Sequence, residues 1–442
     1  MIRLPSLAAS LGLALAAMTS YASLPEAPVR FVSKTGVRVI VQPESNSDTV
    51  ALCLFVRAGI PEEEGVSGVG SLASRALFGS NFQQSSDAVS RTIYDAGGSL
   101  DSRFTPDYTV FTCVTTKQGF RDAVYLLATA VKSAEFDADA MRRARSDVAA
   151  SLAHDQRDPF QTGYTRLRAE LYAESPYRIP IGGTEETLRR ISPDAVRRFF
   201  ARRYVPENCV LAIAGNIPVE KAQRTVENQF VDFDRPAARP VRIEPDAYAG
   251  PSRVERPVQT ASTLLLAGYR APAVGDPDYA AALVLEALMG GGKSSRLFRQ
   301  IRDVDGVGYA VGTYFPALSR ASHLVAYLEY DPLRDSAKSG PQTTASPEKL
   351  LLDTVKSLVG NPPTAQEVDR AKRFAAGRHA LSHQRTRDRA FHLGLYETLG
   401  VGYGFDSELT KRIEAVTTED VARVAKKCLV NPVVVVVRPP TH

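Results

Sequence analysis

An internal repeat is the feature that most constrains this chain. Ile191–Val205 and Val416–Val430 align without a gap at an offset of 225 residues. Each opens on a hydroxyl residue suited to capping a helix, Ser192 or Thr417, carries acidic residues early, and then runs amphipathically. Each is followed by an apolar run, Cys209–Ala214 or Val433–Val437, that reads as a central strand. A helix leading into a buried strand, written twice, predicts two halves folded on one plan.

The order of the remaining elements agrees. In the first half the pattern predicts strands near Val37–Val41, Val50–Arg57 and Tyr108–Thr116. Helices are expected over Ser67–Phe78, Ser86–Ala96, Arg121–Ser133 and Ala138–Asp155. In the second half it predicts strands at Ser262–Tyr269, Gly308–Phe315 and His323–Leu328. Helices there are Tyr279–Met289, Ser294–Arg302, Pro347–Val359 and one long helix from Ala365 towards Thr398. Strand runs followed by helices in each half give an α+β class: two homologous domains, each a mixed or antiparallel β-sheet packed with helices. The expected divisions are 1–22, 23–235, 236–257 and 258–442. Pro236, Pro240, Pro245, Pro251 and Pro257 punctuate an aperiodic 236–257 segment that reads as an extended linker. Asp331–Thr344 reads as a polar surface loop.

A length of 442 residues with 44% hydrophobic and 23% charged side chains describes a globular protein with room for two domains. The formal charge of +5 is small, and no basic cluster interleaved with aromatics supports nucleic-acid binding. Residues 1–22 place one Arg before an apolar run of about 15 residues, then small residues up to Ala22. That is the pattern of a secretory signal, so export to a periplasm is expected. An uncleaved membrane anchor is the alternative, for which that run is short, and no later stretch approaches membrane-spanning length. The four cysteines, Cys53, Cys113, Cys209 and Cys428, lie in or beside apolar runs and read as buried thiols. A Cys53–Cys113 bond stays open if their strands are neighbours, and no Cys-x-x-Cys spacing offers a zinc site.

Several short stretches carry more than packing. Gly68–Gly79 reads Gly-Val-Gly-Ser-Leu-Ala-Ser-Arg-Ala-Leu-Phe-Gly. Ala96–Thr109 contains Gly-Gly-Ser-Leu-Asp-Ser-Arg-Phe-Thr-Pro-Asp-Tyr-Thr. Pro180–Thr184 is Pro-Ile-Gly-Gly-Thr, and Tyr204-Val-Pro-Glu-Asn208 precedes the strand ending at Gly215. In the second half come Leu288-Met-Gly-Gly-Gly-Lys-Ser-Ser-Arg-Leu-Phe298 and Arg302-Asp-Val-Asp-Gly-Val-Gly-Tyr309. In this order, over nearly the whole chain beyond the signal, these stretches resemble the insulinase/pitrilysin family of inverted zinc peptidases, which includes processing peptidases. The family's helix carries His-x-x-Glu-His. Its outer residues lie at i and i+4, so both imidazoles reach one zinc while the Glu polarises bound water.

Here those three positions are Ser71, Ser74 and Arg75. The family's downstream zinc-binding Glu, counted back from Pro159, falls on Ser151. The acidic residue that assists it falls near Ala144, and the Asn of the substrate-facing strand becomes Asp101. Hydroxyls are poor zinc ligands and a guanidinium repels the ion, so no metal is expected in this chain. The segment carrying the family's Arg/Tyr pair survives as Arg302 and Tyr309, beside the Gly290, Gly291 and Gly292 turn. The resemblance implies that this pair holds a substrate carbonyl and its developing oxyanion. The expectation is therefore a non-catalytic subunit of an exported two-chain zinc metalloendopeptidase. A homologous partner would hold the zinc, and this chain would supply Arg302, Tyr309 and half of a peptide chamber. The alternative is a peptide-binding or scaffold protein that has left proteolysis.

Other signals are weaker. Gly292-Lys-Ser294 lacks the earlier glycine of a phosphate loop, since Ala287 stands there, and follows a helix. His379 and His383 stand at i, i+4 but among Arg378, Arg385, Arg387 and Arg389, and read as a solvated helix face. His154 has no companion ligand on the Ser71 helix, and neither Ser71 nor Ser74 has a neighbouring base in sequence.

Overall fold

β-Branched and aliphatic runs form the central strands of two sheets. The structure, a computed structural model, describes residues 27–80, 98–134, 136–172, 175–238, 241, 250–332 and 346–440. The signal at 1–22, the helix read near Ser86–Ala96 and most of the polar loop after Asp331 lie outside the described residues.

The first half contributes β1 (Val29–Val32), β2 (Arg38–Pro43), β3 (Thr49–Val56), α1 (Val69–Ser80), β4 (Ser99–Phe104) and β5 (Thr109–Thr116). After these come α2 (Phe120–Lys132), α3 (Ala138–Arg157), α4 (Pro159–Leu171), α5 (Glu185–Arg190), α6 (Pro193–Arg203), β6 (Cys209–Gly215) and α7 (Val219–Gln229). The second half contributes β7 (Ser252–Pro257), β8 (Thr263–Ala271), α8 (Tyr279–Gly290), β9 (Ala310–Tyr314) and β10 (Ser322–Tyr330). It continues with α9 (Pro347–Gly360), α10 (Ala365–Leu381), α11 (Thr386–Thr398), α12 (Phe405–Ala415), α13 (Thr418–Cys428) and β11 (Val433–Arg438). A π-helical turn spans Phe298–Val304.

The strand orders are β1-β2-β6-β3-β5-β4 and β7-β11-β8-β10-β9. Without β1 they are one topology. In each, the closing strand runs parallel to the first, β6 beside β2 and β11 beside β7, and every other pair is antiparallel. Ser252–Pro257, read from sequence as the end of the linker, is thus the strand β7. Its exposed, polar residues hide the strand period because it lies at a sheet edge. The repeated helices are α6 and α13, capped by the side chains of Ser192 and Thr417.

The long helix expected from Ala365 breaks at Ser382–Arg385. The Ser382 hydroxyl and His383 Nδ1 both bond back to the His379 carbonyl at 2.7 Å, occupying an acceptor the helical ladder would need. The break lets α11 leave its own half and lie across β3 and β6 of the other. In return α4 of the first half covers β8 and β11. Each exchanged helix carries a glycine at its contact. A Cβ on Gly163 would stand 2.5 Å from Leu266 Cδ1, and one on Gly394 would stand 2.3 Å from the Phe55 ring. One hydrophobic cluster accordingly joins Phe55 and Ala212 to Leu393, Leu395 and Val436, while Leu167 and Leu171 pack with Val433, Val435 and Val437. β11 is valine on both faces because both faces are covered.

All four cysteines are free and buried. Cys53 and Cys113 sit on adjacent strands, but Cys53 is opposite Thr112 and packs into the cluster shared by the halves. Cys113 points into the first half's own core. Opposite faces of one sheet cannot be bridged.

Candidate functional site

The N-terminus of α1 is held by Glu63. Its Oε1 accepts from the backbone N–H groups of Gly68 and Gly70, each at 3.0 Å, while Oε2 is buried with no partner. Burial pushes this carboxyl up to about 8 despite the two donors. Gly68, at φ +92°, lets the backbone approach the Gly182 carbonyl, where a Cβ would stand at 2.7 Å. α1 then lies along α3.

This packing brings the sequence-predicted positions together. Ser71, Ser74, Arg75 and Ser151 all line one cavity of about 470 Å³, with Arg103 and Phe104 of β4, Tyr164 and Arg168 of α4, and the Pro180–Thr184 turn. Ser74 is buried, and its hydroxyl donates to the Ser71 carbonyl at 2.9 Å. Arg75 and Ser151 are exposed, and Ala144 is buried against α1. Asp101 is an exposed residue of β4, which closes the sheet edge. Five guanidiniums line the cavity, from Arg75, Arg103, Arg166, Arg168 and Arg256, against the single carboxylate of Asp155. The four aligned positions offer hydroxyls and a cation where the family holds imidazoles and carboxylates. These residues do not fit a zinc ion.

Sequence reasoning missed the cavity's other wall, α4. Tyr164 reaches from it to His323, a fully buried residue of β10, at 2.9 Å from Nε2, while the Tyr172 hydroxyl lies 2.6 Å from Nδ1. Desolvation, with Arg168 nearby, pushes the His323 pKa down to about 3. The ring is neutral, with one nitrogen donating and the other accepting. Arg168, also buried, donates to the carbonyls of Tyr177 and Ile179, so it braces the cavity wall from inside. The signal for α4 was present in Asp158-Pro159: Asp158 Oδ1 caps the helix by accepting from Gln161 N–H, and Pro159 takes its first position.

Arg302 and Tyr309 do not line this cavity. Arg302 is exposed on the π-helical turn, and Tyr309 is 49% exposed, just before β9. Its N–H donates to the Glu329 carbonyl at 2.7 Å and its hydroxyl to Asp331 at 3.2 Å. At the far end of β9, Tyr314 packs on Tyr164 with ring centroids 5.3 Å apart. The glycine turn is tucked into the fold: Gly290 abuts Thr313, and Gly291 and Gly292 abut Phe374.

Comparison with known proteins places these features in a family. The profile described as "Insulinase (Peptidase family M16)" matches residues 38–185, and that described as "Peptidase M16 inactive domain" matches 190–374. Similar proteins include the uncharacterized zinc protease YmxG of Bacillus subtilis, 22% identical and covering 90% of this chain and 95% of its own. Another is the uncharacterized zinc protease Rv2782c of Mycobacterium tuberculosis, 26% identical and covering 91% of each. Among solved structures, a peptidase M16 inactive domain from Pseudomonas fluorescens superposes with a TM-score of 0.82 at 20% identity, covering 94% of this chain and 98% of that one. A protease from Helicobacter pylori gives 0.83 at 17%, covering 94% and 100%.

Proposed function

Because the chain belongs to the insulinase family of peptidases, M16, we propose that it is the non-catalytic subunit of an exported two-chain metallopeptidase. In this reading a homologous partner holds the zinc, and this chain contributes Arg302, Tyr309 and one wall of a peptide chamber. A single observation carries it: every aligned zinc position is a hydroxyl or a cation, yet the cavity around them is intact. Three further features support it. Arg302 and Tyr309 are exposed and lie away from this chain's own cavity, as residues given to another centre would. The edge strand β4 borders the cavity, and an extended peptide can add to such an edge through main-chain hydrogen bonds. The five guanidiniums favour a peptide with acidic residues. Among the described residues no helix is long and apolar enough to cross a membrane.

Copurifying the chain with a zinc-bearing homologue and assaying a peptide tests the reading. Arg302→Ala and Tyr309→Phe should each lower kcat by about 100-fold, the cost of losing one donor to a developing oxyanion, with assembly unchanged. Undiminished turnover in the double variant sinks the donated-site idea. The second reading, a peptide-binding or scaffold protein, is favoured by the same edge strand. It predicts peptide binding by this chain alone and no zinc-bearing homologue in the pull-down.

A further inference from the structure

Three of the six histidines meet at one corner of the second half. His379 lies in the last turn of α10, His383 in the turn that breaks the helix, and His392 on α11. Asp406, in the first turn of α12, faces them. His383 Nε2 lies 2.8 Å from Asp406 Oδ2, and His379 Nε2 lies 3.5 Å from Oδ1. One ligand atom from each of His379, His383 and Asp406 falls within 4.8 Å of the others. Tetrahedral coordination with ordinary zinc bonds sets ligand atoms about 3.3 Å apart, so small side-chain rotations would close the set around an ion.

Backbone carbonyls orient two of the three rings. His383 Nδ1 lies 2.7 Å from the His379 carbonyl, and His392 Nδ1 lies 2.8 Å from the Asp388 carbonyl. The Nε2–H of His383 donates to the Asp406 carboxylate at 2.8 Å and that of His379 to the Asp406 carbonyl at 3.2 Å, so an ion would take the place of these protons. The His392 ring stacks on His383 at 4.3 Å and holds its plane. Two of the four arginines that argued against a metal are paired by tertiary contacts, and a third meets its sequence neighbour. Arg378 pairs with Glu286, Arg389 with Glu44 and Arg387 with Asp388. The three side chains are 14–20% exposed, sheltered yet within reach of an ion.

We propose that His379, His383 and Asp406 form a binding site for a divalent first-row transition ion such as Zn²⁺, with solvent completing the coordination. The site lies in the half opposite Ser71 and is independent of the cavity there. It fastens the α10–α11 turn to α12 and so steadies α11, the helix whose Gly394 packs on Phe55.

The full, untagged chain, stripped with a chelator, is titrated with Zn²⁺ by calorimetry and with Co²⁺ by visible absorption. One ion per chain is expected, with Co²⁺ d–d bands and a Tm that rises on Zn²⁺ addition. His383→Gln and Asp406→Asn should weaken binding by more than about 100-fold, beyond what changes around a metal site usually cost, while Ser71→Ala changes nothing. Zn²⁺ affinity retained in the folded His379→Gln/His383→Gln variant overturns the site. Where variants fail to fold, the wild-type chain decides: no Co²⁺ bands and no Tm shift overturn it equally.

Discussion

Burial with both ring nitrogens occupied keeps His323 neutral, its pKa pushed down to about 3. In the unfolded chain it titrates near the usual ~6.5. Between those values the unfolded state holds the extra proton, so stability falls as pH drops through this window, by up to about 1.4 kcal/mol per pH unit. Glu63 acts in the opposite sense. With its carboxyl pushed up to about 8 from an ordinary 4.5, the native state holds the extra proton, and stability falls as pH rises between them. Urea unfolding between pH 4 and 8 checks both. His323→Gln should flatten the acid side by about one proton, and Glu63→Gln should flatten the neutral side while keeping an acceptor for Gly68 and Gly70. Unchanged slopes would contradict these protonation states. Ser71, Ser74 and Arg75 were legible as a cluster because helical spacing alone sets them on one side. Asp406 was not, because 23 residues separate it from His383 and only the packing of α12 brings it there.

Helix exchange explains why two glycines sit inside helices, where alanine ordinarily stabilises by about 1 kcal/mol. At Gly163 and Gly394 the added methyl group meets Leu266 and Phe55 at 2.5 Å and 2.3 Å. Gly163→Ala and Gly394→Ala should therefore destabilise by about 1–3 kcal/mol through overpacking. Gly377→Ala, on an exposed face of α10 with nothing within 4 Å, should instead stabilise by about 0.5–1 kcal/mol. Thermal melts of the three variants decide the matter, and stabilisation at all three would refute the close contacts. Elements with strong apolar periodicity, such as β3, β6, β11 and α8, were read from sequence near their observed limits. Those missed were the edge strands β1, β4 and β7, the helices α5, α7 and α12, and α4, whose apolar residues match the other half's sheet.

At the scale of the whole molecule, the exchange of α4 and α11 removes any independent half. Each sheet needs a helix from the other half to cover one apolar face, and the Asp107 carboxylate accepts from Tyr177 of its own half and Ser319 of the other. Calorimetry of the full chain should show one transition with equal calorimetric and van't Hoff enthalpies. Two resolved transitions would mean that the shared cluster does not couple the halves. Such coupling also suits the proposed subunit role: a rigid wall keeps β4, the cavity and the Arg302/Tyr309 segment in fixed relation for a partner.

The residue pattern by itself carried the two-fold plan and the α+β class, which rest on local periodicity, and the family, which rests on short stretches resembling its motifs in a shared order along the chain. Tertiary structure alone decided which helix covers which sheet, that Cys53 and Cys113 face apart, that Arg378 and Arg389 beside the histidines are paired, and that Asp406 joins that group. Those outcomes depend on contacts between residues far apart in the chain, and no local period encodes which distant surface an apolar face will meet.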